Sequence, residues 1–232
     1  MKTQFLSPLR LALIGMSGAG KTFWTKRLAE AGHPRICCDD RIEERLHSRL
    51  QVGGHAGTRG VAAWMGWPDS VTYASREVDY LAEEIATLNE VLTELERDPA
   101  KELVLDTTGS VIYAGNNLLL RLRRQMTVVY LAASAGEQQL LVERYLSDPK
   151  PVLWRGAFQA RTGEAALDTV ARCYPLLIES RRRSYEALAH CTVPVAELRE
   201  MLQETPSEKG RDGSVGAAEF LAKIEAQLGH AR

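Results

Sequence analysis

The run Gly15-Met16-Ser17-Gly18-Ala19-Gly20-Lys21-Thr22 constrains this chain more than any other stretch of its sequence. It fits G-x-x-x-x-G-K-[S/T], the pattern of a backbone loop that cradles phosphate oxygens. Glycines let such a loop fold tightly, so that successive N–H groups point inward at an anion. The motif works between a strand and a helix, because the helix N-terminus adds its dipole to the same oxygens. Both neighbours are legible. Leu9-Arg10-Leu11-Ala12-Leu13-Ile14 reads as a short buried strand, and residues 20–31 as a helix stopped by Gly32 and Pro34. The loop implies a nucleoside triphosphate, ATP, bound by Gly15, Ser17, Gly18, Ala19, Gly20, Lys21 and Thr22. Lys21 reaches the β- and γ-phosphates in such a loop, and the Thr22 hydroxyl ligates magnesium (Mg2+). On this reading Lys21 faces solvent or ligand rather than the core.

The rest of the chain alternates strand and helix signals. Residues 35–38 suit a second strand ending at Asp39-Asp40, and Ile42, Leu46 and Leu50 mark the helix after it. Residues 51–74 hold five glycines with Trp64, Trp67 and Pro68, and read as a long loop or small insert near the substrate site. Val78, Leu81, Ala82, Ile85, Leu88, Leu92 and Leu95 keep helical spacing until Asp98-Pro99. Residues 102–106 form a third strand, 117–124 a helix, 128–131 a fourth strand, and a further helix runs to about residue 146. Asp148-Pro149-Lys150-Pro151 stops it. A mostly helical stretch then reaches Ala189, bent or divided at Pro175, and Cys191-Thr192-Val193-Pro194-Val195 suits a fifth strand with Pro194 at its end or on an edge. A polar loop at 205–213 precedes a last amphipathic helix, about 215–228. This order predicts an α/β fold: three α/β/α layers around a five-stranded parallel sheet, with a substrate-binding insert and a helical lid. The expected division is one domain over 1–196, its lid at 148–172, and a C-terminal helical extension, 197–232, packed on it.

The 29 basic and 30 acidic side chains nearly cancel, which argues against nucleic-acid or membrane partners. The apolar N-terminal run is broken by Pro8 and Arg10 and flows into the phosphate loop, so it reads as a strand rather than a leader. Cys37, Cys38, Cys173 and Cys191 show no metal-ligand spacing and are expected to be reduced thiols of a cytoplasmic protein, taken to be a monomer.

Phosphoryl transfer needs carboxylates near the carboxyl edge of the sheet, where open parallel sheets bind ligands. Asp39 and Asp40 are candidates after strand two. Asp106 follows Leu103-Val104-Leu105, the pattern of a Walker B carboxylate, and is a candidate magnesium ligand.

Together these residues resemble shikimate kinases, within the nucleoside-monophosphate-kinase-like branch of P-loop proteins. Asp39-Asp40-Arg41-Ile42-Glu43 is similar to the end of that family's "DSDxxIE" motif, and Ser75-Arg76-Glu77-Val78-Asp79 to its "FRxxE". Lys150-Pro151-Val152-Leu153 resembles the lid's "RPLL", and Arg181-Arg182-Arg183-Ser184-Tyr185 fits "RxxxY". The resemblance implies a kinase of a small, carboxylate-bearing alcohol. Lys21, Asp39 and Lys150 would be catalytic, and Asp39, Arg76, Thr108, Gly109 and Arg181 would bind the acceptor. Cys37, Thr107-Thr108-Gly109 and Lys150 depart from the family's aspartate, triple glycine and lid arginine. A gluconate-kinase-like or nucleotide kinase is the alternative, and a nucleotide-binding regulator or slow ATPase a third reading.

Overall fold

The computed structural model describes residues 7–204 and 213–230. Phe5, Leu6 and nearly all of the polar loop expected at 205–213 lie outside these residues.

Among the described residues the sheet is β1 (Arg10–Ile14), β2 (Arg35–Cys37), β3 (Leu103–Asp106), β4 (Thr127–Ala132) and β5 (Cys191–Pro194), every pairing parallel, in the order β2-β3-β1-β4-β5. The strands are nearly continuous apolar runs because both faces are covered. Ala12, Ile14, Leu103, Leu105, Val128 and Tyr130 enter one core; Leu11, Leu13, Val104, Val129 and Leu131 enter the other. In register, Asp106 stands opposite both Leu13 and Cys37, so the carboxyl ends of β1, β2 and β3 finish level.

On one face lie α1 (Lys21–Glu30), α9 (Val195–Glu204) and α10 (Gly213–His230); the rings of Trp24 and Phe220 stack there at 4.5 Å. The other face carries α2 (Cys38–Arg45), α5 (Tyr73–Arg97), α6 (Asn116–Gln125) and α8 (Ala166–Leu188). The short helices α3 (His47–Gln51) and α4 (Gly57–Met65) precede α5, and α7 (Ala135–Ser147) follows β4.

The structure corrects several boundaries. Strand β2 stops at Cys37, so Asp39 and Asp40 lie in the first turn of α2 rather than at a strand end. Much of the glycine-rich 51–74 stretch is the helix α4, because burial of Val61, Ala62, Trp64 and Met65 on one side outweighs the helix cost of Gly57 and Gly60. Helix α8 begins only at Ala166 and runs unbroken through Pro175; 148–165 is irregular. Strand β5 ends at Pro194 and leads straight into α9, which takes in Val195, expected in the strand.

The first half of α5 also faces inward by a different side from the one its apolar spacing suggests. Val78 is 60 % exposed, and Leu81 and Ile85 are half-buried, while Tyr73, Glu77, Tyr80 and Glu84 are buried. From Leu88 onward the apolar spacing and the core coincide: Leu88, Val91, Leu92 and Leu95 are enclosed.

Candidate active site

The loop from Gly15 to Thr22 joins β1 to α1 at the carboxyl edge of the sheet. Its glycines are required by shape. Gly15 has φ 139°, and a Cβ there would stand 2.8 Å from the Leu131 carbonyl oxygen. Gly20 has φ 98° at the N-cap of α1, a left-handed conformation that favours glycine.

Lys21 is only 6 % exposed, and what it shows faces the cleft rather than open solvent. Its Nζ donates to the Gly15 carbonyl at 2.8 Å and the Met16 carbonyl at 3.1 Å. Burial lowers its pKa, against the opposing charges of Asp106 and Asp39. It lines a cleft with Ser17, Gly18, Gly20, Thr22 and Phe23 on the loop side. Asp39, Thr58, Tyr80, Thr108 and Gly109 line the same cleft, Gly109 packed close against the loop at Ser17, and Lys150 and Pro151 reach in from the segment after α7.

Asp39 is half-buried, and Oδ1 accepts a hydrogen bond from the Tyr80 hydroxyl at 3.2 Å. Burial pushes its pKa up to about 6, with Lys21 pulling the other way. Behind this wall Glu84 is enclosed: the Thr108 hydroxyl donates to Oε1, and the Ser110 hydroxyl donates to Oε2 at 2.7 Å. Burial raises the Glu84 pKa to about 8. The Thr108 hydroxyl, expected on the acceptor, is therefore already engaged by the protein.

Asp106 is 1 % exposed and does not line the cleft. Its Oδ2 accepts from Arg35 Nη2 at 2.7 Å, and Arg35 Nε also donates to the Thr25 hydroxyl at 2.9 Å. Oδ1 is buried with no hydrogen-bond partner among the described residues.

Neither of the two arginines expected at the acceptor is among the cleft-lining residues, but they are placed differently. Arg76 Nη1 donates to the Trp64 carbonyl, with its guanidinium 5.6 Å from the Trp64 ring centroid; it is not among the cleft-lining residues. Arg181 is 2 % exposed and ties three parts of the site together. Its Nη1 donates to the Gly109 carbonyl at 2.9 Å and contacts the Met16 sulfur at 3.8 Å, while Nη2 donates to the Leu153 carbonyl at 2.6 Å. Tyr113 meets it by hydroxyl and ring face. None of these partners is a carboxylate, so the guanidinium is a buried cation beside Gly109.

The segment carrying Lys150 is anchored at its far end. The Tyr73 hydroxyl donates to the Val152 carbonyl at 2.6 Å and accepts from the Trp154 amide at 3.0 Å, and Glu77 accepts from the Arg155 amide at 2.9 Å. Lys150 itself pairs with Asp148 at 3.0 Å, and Asp148 with Arg59 of α4 at 2.8 Å. Arg144, which the sequence reading passed over, lies beside Gly18 on the other side of the loop.

Tyr80, Glu84, Arg35 and Arg144 were the omissions. None of them carried a signal in the apolar spacing, which counts only apolar positions.

Among the described residues, no helix is long and apolar enough to cross a membrane, and no cluster of three or more His, Cys, Asp or Glu side chains is placed to hold a metal. No family model matches the sequence. No curated protein matches it either. Solved structures do match in fold. Shikimate kinase from Acinetobacter baumannii in complex with shikimate is 24% identical with a TM-score of 0.54, the match covering 96% of this chain and 97% of that one. Shikimate kinase from Bacteroides thetaiotaomicron is 20% identical with a TM-score of 0.51, covering 93% and 98%. Shikimate kinase from Aquifex aeolicus is 17% identical with a TM-score of 0.50, covering 94% and 97%. Over nearly its whole length, then, this chain has the three-layer α/β fold of shikimate kinases.

Proposed function

We propose that this protein transfers the γ-phosphoryl group of ATP to a hydroxyl of a small, carboxylate-bearing metabolite, as a shikimate-kinase-like enzyme. One observation carries the reading: Lys21, Asp39 and Lys150 line a single cleft at the mouth of a glycine loop. That combination supplies cations for the phosphates and a carboxylate for the acceptor. The cleft holds about 190 Å³, less than a whole nucleotide needs. The triphosphate fits there, and the base suits the neighbouring opening lined by Phe23, Arg144, Val195 and Leu198.

Magnesium fits two oxygens. Thr22 lines the cleft, and the buried Asp106 Oδ1 has no hydrogen-bond partner among the described residues. With Oδ2 held by Arg35, Asp106 would act through Oδ1, directly or across a water. When bound, the metal neutralises charge on the phosphate oxygens. Lys21 and Lys150 steady the transferring group, and Asp39 orients the acceptor hydroxyl and takes its proton. The carboxylate preference rests on Arg181, a buried guanidinium that does not itself line the cleft but holds the carbonyl of the cleft-lining Gly109. A sugar-acid or nucleotide acceptor is the second reading, favoured by the turn of Arg76 toward Trp64.

The test is to incubate the protein with ATP, magnesium and a panel of hydroxy acids and sugar acids, shikimate and gluconate included, and to follow phosphorus by NMR. A phosphorylated acceptor is expected, and Lys21→Ala should abolish its formation while the fold survives. Arg181→Ala should weaken acceptor binding roughly ten- to hundredfold, the cost of unpairing a charged hydrogen bond. Arg76→Ala should leave it within about twofold. An uncharged acceptor preferred over every acid would remove the carboxylate from this reading.

A further inference from the structure

Tyr80 has no part in phosphoryl transfer as described so far, yet it lines the cleft and touches the one carboxylate there. It is 2 % exposed, so its ring is core while its hydroxyl is at the site. That hydroxyl donates to Asp39 Oδ1; Oδ2 receives no hydrogen bond from a described residue. An aspartate in the first turn of a helix can swing about two side-chain torsions. Fixing one oxygen leaves the other in a defined direction. The clamp itself is well held, because α5 continues into the core through Leu88, Val91, Leu92 and Leu95.

The charges facing Asp39 come from four elements. Lys21 on α1 favours the carboxylate form; Asp106 on β3 and Asp40 on α2 oppose it, and Glu84 on α5 is coupled to it. Burial opposes ionisation most strongly, and the Tyr80 hydrogen bond favours it. The phenol's own pKa is raised well above its ordinary value by burial, so it stays a donor.

We propose that Tyr80 is a positioning residue for Asp39, clamping Oδ1 so that Oδ2 meets the acceptor hydroxyl. This rests on the phosphoryl-transfer reading above. In that reaction the acceptor oxygen bonds to the γ-phosphorus, the bond from that phosphorus to the β,γ-bridging oxygen breaks, and ADP leaves with the electron pair. The acceptor's proton passes to Asp39 Oδ2. Tyr80 donates its hydrogen bond throughout and keeps its proton.

Tyr80→Phe removes the hydroxyl and keeps the ring, and two measurements read the result. Carbon NMR of the Asp39 carboxyl needs no acceptor; its titration midpoint should rise by roughly half a unit or more, since a hydrogen bond favouring the charged form is gone. In kinetics, kcat should fall roughly tenfold with acceptor KM within about twofold, and the acid limb of the kcat–pH profile should move up with the midpoint. Replacing Tyr80 by meta-fluorotyrosine, a stronger donor of nearly the same size, should move the midpoint down, and serves if the Phe variant does not fold. An unchanged Asp39 titration, or a loss confined to acceptor KM, overturns the proposal. If no acceptor is phosphorylated by the parent protein, it is the transfer reading that fails, and the titration tells the two failures apart.

Discussion

At the scale of single residues, Glu84 stands out: a carboxyl 2 % exposed, held by two hydroxyls and with no ion-pair partner among the described residues. An unpaired buried carboxylate is costly, so the group keeps its proton instead. Its pKa in the fold is about 8, against 4.5 ordinarily. The native state therefore binds the proton more tightly than the unfolded chain does. The contribution to stability is complete below about 4.5, declines as pH rises, and is lost once pH passes about 8. Glu84→Gln keeps a neutral hydrogen-bonding group and removes that decline. Urea unfolding across this range should show the variant losing less stability than the parent, with the gap widest at the alkaline end. Parallel curves would mean that Glu84 ionises in the native state near its ordinary value.

At the scale of elements, α5 and the segment after α7 act as one unit. Tyr73 and Glu77 on α5 hold the backbone of Val152, Trp154 and Arg155, and Arg181 on α8 holds Leu153. Trp154 is the apolar centre of this joint: it is 1 % exposed, donates from its indole to the Tyr145 hydroxyl at 3.2 Å and meets Tyr174 and Phe158 edge-on or tilted. Such an anchor leaves Lys150, four residues earlier, at the end of a fixed arm. Trp154→Ala should cost about 3–5 kcal/mol of stability, the range for removing a buried aromatic side chain. Limited proteolysis should cut first between residues 148 and 165 in the variant. Loss of global stability without new cleavage there would mean that the joint holds the core rather than the arm.

At the scale of the whole molecule, two cores flank the sheet and have different duties. One, between the sheet and α2, α5 and α8, carries buried polar groups of the site; the other, under α1, α9 and α10, is built on Trp24, Leu28, Phe220 and Ile224. The stack of Phe220 on Trp24 closes the second core. Phe220→Ala should cost about 3–5 kcal/mol while leaving the KM for ATP and for the acceptor within about twofold at a temperature where the variant is folded. A large rise in the KM for ATP would show that α10 also holds the phosphate loop through α1.

The sequence by itself determined the phosphate loop, the parallel α/β order and most strand positions, because each is local: glycine spacing, apolar runs and breakers act over a few residues. It also placed Lys21, Asp39 and Lys150, which tertiary contact brings into one cleft. Tertiary structure alone decided the rest. Helix α4 forms in a glycine-rich stretch because Trp64 and Met65 find a core to enter. The inner face of α5 runs through Tyr73, Glu77, Tyr80 and Glu84 because their polar groups meet partners more than twenty residues away in the chain: Asp39, Thr108, Ser110 and the backbone of residues 152–155. Periodicity counts apolar residues and cannot see a buried polar face whose cost is offset by distant hydrogen bonds. Arg76 and Arg181 show the same limit: both are arginines in matching motifs, but whether a guanidinium faces a ligand depends on which carbonyls the fold sets beside it.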